Sequence, residues 1–142
     1  MTIKEVEKQI VEEFSIFEEW LDKYEYLIEL GKSLPLIEET GKRDENLIKG
    51  CQSRVWLGAE YREGKIYFTA DSDAIITKGI ISLLLRVFSG RTPEEIAHAD
   101  LNFIKEIGLQ DNLSPTRANG LLAMIRQIKF YAMAFSSKQI NL

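Results

Sequence analysis

Cysteine is nearly absent. The 142-residue chain has one, Cys51, so it cannot form an internal disulfide or a disulfide-stapled secreted framework. Histidine is as scarce, with His98 alone. One thiol and one imidazole cannot supply a tetrahedral N/S set, so neither a metal nor a cofactor of its own is expected. A basic excess is also missing: 18 Lys and Arg against 22 Asp and Glu leave a formal net charge of -4. Nucleic acid and anionic membranes call for a basic patch or stripe, so neither is expected as a partner. The longest apolar run, Ala74 to Phe88, is broken by Thr77, Lys78, Ser82 and Arg86 and falls short of a membrane span. Behind Met1-Thr2-Ile3-Lys4-Glu5 there is no apolar signal core, and the segment is too acidic for a transit peptide. The expectation is a cytoplasmic protein with a reduced thiol.

What remains is an ordinary globular composition, 45% hydrophobic and 28% charged. The length suits one domain over residues 1–142, with no repeat, low-complexity tract or Pro/Gly/Ser-rich linker to divide it. Charge is distributed unevenly. Residues 1–30 carry nine acids against Lys4, Lys8 and Lys23, whereas 115–142 carry Arg117, Arg126, Lys129 and Lys138 and no acid. Solvated helix faces of opposite sign account for this; steering of a partner protein is the functional alternative.

Ile3, Val6, Ile10 and Phe14 recur at helical spacing. Ser15 with Glu18 reads as a capping box opening a second helix, with Phe17, Trp20, Leu21, Tyr24, Leu27 and Ile28 inward and Gly31 and Pro35 as stop signals. Gly41 to Asn46 reads as an exposed loop. The period then changes to two: Val55, Leu57, Ala59 and Tyr61 alternate with Arg54, Trp56 and Gly58. A turn at Arg62-Glu63-Gly64 leads to a second strand, Lys65 to Ala70, completing a hairpin; a short third strand at Leu47-Ile48 is conceivable. Asp71 or Asp73 is expected to cap the apolar helix that Gly90 ends, whose narrow polar stripe (Lys78, Ser82, Arg86) marks it as the central core helix. Thr92-Pro93-Glu94-Glu95 and Ser114-Pro115 open further helices, the last facing Leu121, Ile125, Ile128 and Phe135 inward. The predicted class is α+β, a small antiparallel sheet packed on one face against several helices.

Cys51 follows Gly50 and a polar loop and precedes a strand, a place from which a side chain can reach a partner. Position alone does not decide its role, because free cysteines usually act as small buried hydrophobes. A hydrolase nucleophile would need a nearby base, and His98 is explained well enough as a cation closing a short helix. There is no Gly-rich phosphate loop, and Asp71, Asp73 and Asp100 lack metal-ligand spacing.

The stretch Ile48-Lys49-Gly50-Cys51-Gln52-Ser53-Arg54-Val55-Trp56 resembles the Gly-Cys-Gln-Ser-x-Val-Trp signature of SufE-type sulfur acceptors. Further blocks match in order: Leu30-Gly31 with Leu34-Pro35, Asp71-Ser72-Asp73-Ala74, Lys78-Gly79, Ser114-Pro115-Thr116-Arg117, Gly120-Leu121 and Ala123-Met124. The resemblance implies an α+β fold similar to iron–sulfur scaffold proteins and a partner that is a pyridoxal-phosphate cysteine desulfurase. It also implies sulfur carried as a persulfide on Cys51 toward an Fe–S scaffold complex, with stimulation of the desulfurase. Gln52 and Ser53 are candidate donors to a sulfur anion, and Arg117 a candidate for holding a partner carboxylate or that anion. Val55, Leu57 and the helix from Ala74 are expected to shelter the sulfur. A homodimer is compatible with the resemblance. Two alternatives stand beside it: a regulatory module that binds a desulfurase without carrying sulfur, and a small cysteine enzyme acting alone, which lacks a placed base.

Overall fold

A computed structural model describes residues 1–140, with side chains through Ser137. Two helices, α1 (Ile3–Phe14) and α2 (Trp20–Gly31), precede a β-hairpin of β1 (Val55–Arg62) and β2 (Lys65–Ser72). Then come α3 (Ile75–Phe88), the short helices α4 (Pro93–His98), α5 (Asn102–Glu106) and α6 (Leu109–Asn112), and the long α7 (Pro115–Ile140). The class is α+β, as predicted.

The hairpin is antiparallel, with Leu57 opposite Ala70, Ala59 opposite Phe68 and Tyr61 opposite Ile66. These pairs share one face, and Leu57, Phe68, Ala70 and Ile66 are all fully buried against the helices. Glu63 and Gly64 both have positive φ (50° and 81°), the two-residue turn whose twist matches a hairpin. Leu47 contributes one isolated bridge to Trp56 and no third strand.

Helix α3 is the core helix, with eleven of its fourteen residues buried. Its polar stripe is consumed internally. Ser82 donates to the Leu30 carbonyl at 3.0 Å, Arg86 pairs with Glu13, and Lys78 reaches Asp71 at 3.2 Å. Because the stripe is satisfied by protein groups, most of α3 can be buried without stranding a polar atom, with Ile75 left exposed. Gly79 makes the closest approach: a Cβ there would stand 2.1 Å from the Leu27 carbonyl oxygen, so α2 and α3 touch backbone to backbone. Apolar residues from Ile3 in α1 to Ala132 in α7 form one hydrophobic cluster.

Three local expectations are corrected. Ser15 ends α1 rather than capping α2; its hydroxyl donates back to the Glu12 carbonyl at 2.6 Å, and Glu19 takes the N-cap position with no side-chain bond. Leu21 is 67% exposed, whereas Leu27 is fully buried and Trp20, Tyr24 and Ile28 pack partly against the core. Neither Asp71 nor Asp73 caps α3, whose N-cap is Ala74 with no side-chain bond. The strand runs into the helix almost directly, which leaves both carboxylates facing other partners. At Thr92 the predicted capping box is formed in full.

Candidate functional site

The site is assembled where the segment entering β1 crosses the start of α3 and the first turns of α7. Gly50 has φ 97°, a left-handed conformation that glycine adopts without strain. It turns the chain so that Cys51 faces α7, where the thiol donates a long hydrogen bond to the Gly120 carbonyl, 3.6 Å away. Cys51 is half-buried, and that burial pushes its thiol above the ordinary value. The resting sulfur is therefore a protonated, weakly nucleophilic thiol at neutral pH.

Beyond Cys51 the segment is pinned to the β2–α3 junction. The Arg54 N–H donates to Asp73 Oδ1 at 3.0 Å, and the Ser72 hydroxyl donates to the Arg54 carbonyl at 2.7 Å. The hydroxyls of Ser53 and Thr77 share a hydrogen bond of 3.1 Å. Behind the junction, Asp71 accepts from Lys42 at 2.7 Å and from Lys78 at 3.2 Å. Burial pushes the Asp71 carboxyl up, but the two ammonium groups and the Ser72 N–H outweigh it and hold the carboxyl below its ordinary value.

Cys51, Gln52, Ser53 and Arg117 all border one cavity of about 370 Å³. Its floor is Ile76, Ile80 and Met124, and its polar margin adds Asp73, Thr77 and Thr116. Gln52 and Arg117 are exposed at the rim, while Ser53 is half-buried and bonded to Thr77. Arg117 makes no ion pair among the described residues, with Asp111 or any other acid; its guanidinium lies over the Tyr24 ring, 5.8 Å from the centroid. A free cation is thus held at the mouth of a cavity with an apolar floor. The arrangement can shield a small sulfur group from water while presenting a positive charge to whatever enters.

The predicted shelter is corrected in part. Ala74, Ile76 and Ile80 of the α3 start do line the cavity, but Val55 and Leu57 point into the core and are fully buried. Alternation along β1 sends both to the helix-covered face, away from the thiol. His98 does not line the cavity; Nδ1 faces the Glu94 carbonyl of its own helix at 2.8 Å. Asp73, Thr77 and Thr116 also line the cavity and were not expected there from the sequence. The run Asp71-Ser72-Asp73-Ala74 carried a signal for the first, since it is one of the blocks by which the sequence resembles the SufE family.

Among the described residues no group of three or more His, Cys, Asp or Glu side chains is placed to hold a metal, and no helix is long and apolar enough to cross a membrane. The fold matches the solution structure of a hypothetical protein from Thermus thermophilus with a TM-score of 0.74, over 91% of this chain and 94% of that one, at 21% identity. An uncharacterized SufE-like protein of Rhizobium meliloti is 42% identical over 126 residues, 85% of this chain and 90% of the relative. A second, from Rhizobium etli, is 39% identical over 85% of each chain. The SufE model, described as an Fe-S metabolism associated domain, matches residues 8–132. With the cysteine signature and its cavity inside that span, this chain belongs to the SufE family.

Proposed function

We propose that the protein accepts sulfur from a pyridoxal-phosphate cysteine desulfurase as a persulfide on Cys51, stimulates that enzyme, and delivers the sulfur to a scaffold complex for iron–sulfur cluster assembly. The observation that carries this reading is the position of the chain's single thiol on the wall of a cavity also bordered by Arg117, which makes no ion pair among the described residues. In the transfer step the Cys51 thiolate attacks the outer sulfur of the desulfurase persulfide. A new S–S bond forms on Cys51, and the old one breaks. Its electron pair leaves on the desulfurase cysteine, which becomes a thiolate. The Cys51 proton is lost before attack, so any contact that lowers the thiol's pKa on docking accelerates the step. Arg117 can supply that effect, and Gln52 and Ser53 offer an amide and a hydroxyl to the sulfur anion. An apolar floor keeps solvent thiols from the product until a recipient docks.

The test is intact mass after incubation with the desulfurase and cysteine. Wild type gains one sulfur on Cys51 and raises the rate of sulfide release. Cys51→Ser gains none and does not raise that rate, while its thermal midpoint stays close to wild type because the site is only half-buried and the serine, slightly smaller, is still a hydrogen-bond donor. Sulfur on the Ser variant would overturn the reading. Stimulation by wild type without added mass would favour the regulatory module instead.

A further inference from the structure

Helix α7 presents two flanks to the cysteine segment. One carries Arg117, Gly120 and Met124 and closes the thiol cavity. The other carries Ala123, Arg126 and Phe130, spaced three and four residues apart, and closes a second depression of about 460 Å³ against Leu47 and Lys49. The two depressions adjoin. Lys49 is two residues from Cys51, and a Cβ on Gly50 would stand 3.3 Å from the Ala123 methyl.

The second depression is not explained by folding. Phe130 is 58% exposed, so its ring buries little on folding. Lys49 and Arg126 are exposed, and neither makes an ion pair among the described residues. The acid in this depression, Glu45, is already bound to Arg43 at 2.9 Å. An aromatic flanked by two uncompensated cations therefore faces solvent in a chain of net charge -4. Aromatic residues and arginine are the types enriched where binding energy concentrates.

We propose that this groove docks an acidic, apolar-tipped segment of the cysteine desulfurase, holding the donor beside Cys51 while the neighbouring cavity receives the sulfur. The proposal rests on the sulfur-acceptor reading. Charge complementarity selects the occupant: the acid-rich remainder of the chain repels an acidic patch, and this flank attracts it, which orients the encounter with the thiol toward the donor. Arg126 can grip a carboxylate through two parallel N–H donors, and Phe130 can anchor the apolar tip.

The experiment uses the full chain and its desulfurase, with Lys49→Glu/Arg126→Glu and Phe130→Ser as variants. Two quantities are read: the acceptor concentration giving half-maximal sulfide release, and the direct affinity of the unreacted proteins. Both should weaken about tenfold in each variant, with the saturating rate, thermal midpoint and Cys51 alkylation rate unchanged. Raised salt should weaken wild-type docking toward that of the charge variant and leave the Phe130→Ser defect in place. Wild-type affinity in both variants would overturn the proposal. So would normal docking combined with loss of self-association, or with loss of onward transfer to a recipient. A wild-type chain that docks through the groove but never gains sulfur would overturn the carrier reading and leave the docking surface standing.

Discussion

Gly79 and Gly50 both resist a side chain, for different reasons. At Gly79 there is no room: a side chain would overlap the Leu27 backbone where α2 crosses α3. At Gly50 a Cβ would meet only the Ala123 methyl, tightly at 3.3 Å, and the stronger demand is for a left-handed backbone. The surroundings differ in kind as well. Around Gly79 the contacts are apolar and internal, with Leu27, Ile80 and Leu83 fully buried. Beyond Gly50 the chain is held by a few polar bonds, from Asp73, Ser72 and Thr77 to residues 53 and 54. A scaffold closed by backbone contact carries a segment held by a few polar bonds. Opening the second need not disturb the first.

The largest effect should come from breaking the rigid half. Gly79→Ala would gain about 1 kcal/mol on helix propensity alone. The overlap with the Leu27 carbonyl decides the sign, and the variant should lose about 3 kcal/mol or more by chemical denaturation, the upper end for an overpacked core. A rise in midpoint would mean that α2 and α3 do not meet as described.

Loosening the other half should cost less and change reactivity more. Asp73→Ala removes the acceptor for the Arg54 N–H but leaves the Ser72 bond to the Arg54 carbonyl. The loss should be about 1 kcal/mol, while alkylation of Cys51 by a small reagent speeds up severalfold. The pH profile sharpens the point. In wild type burial raises the thiol, so the stability gained from keeping it neutral is complete below about pH 8.5, the ordinary cysteine value, and is lost as pH rises through the higher folded value. Alkylation should follow the same displaced curve, and in Asp73→Ala it should move down toward an ordinary cysteine. An unchanged rate and profile would show that the polar bonds do not hold the thiol in place.

The two halves also differed in how far the sequence exposed them. The hairpin was readable because alternation from Val55 to Tyr61 and the Glu63-Gly64 turn agree on one register. The core helix was readable from its narrow polar stripe, and the Thr92 box from spacing that local bonds alone satisfy. Ser15 and Asp73 misled for one reason. A short polar side chain beside a helix start has several backbone partners within reach, and which it takes depends on where the neighbouring chain runs. The α5 and α6 turns were missed because four- and five-residue helices hold too little periodicity. At the site, the cysteine signature was legible, but the cavity is not a sequence object. Cys51 meets Gly120 across 69 residues, and Ser53 meets Thr77 across 24.

Arg117 tests whether the mouth of the cavity belongs to the scaffold or to the working segment, and its effect on stability should be the smallest. The side chain sits in the first turn of α7, where the positive end of the helix disfavours a cation by about 0.3–1 kcal/mol. Its position over the Tyr24 ring returns about 0.5–1 kcal/mol at an exposed site. The two nearly cancel, so Arg117→Ala should melt within a degree or so of wild type, by the usual scaling for a domain of this size. Folding then gives no reason for a charge there, and function must supply one. Persulfide transfer from the desulfurase should fall substantially in the variant, and Arg117→Lys should restore part of it by keeping the charge without the planar fork. Normal transfer with a lowered midpoint would assign Arg117 to the scaffold, as a lid on Tyr24.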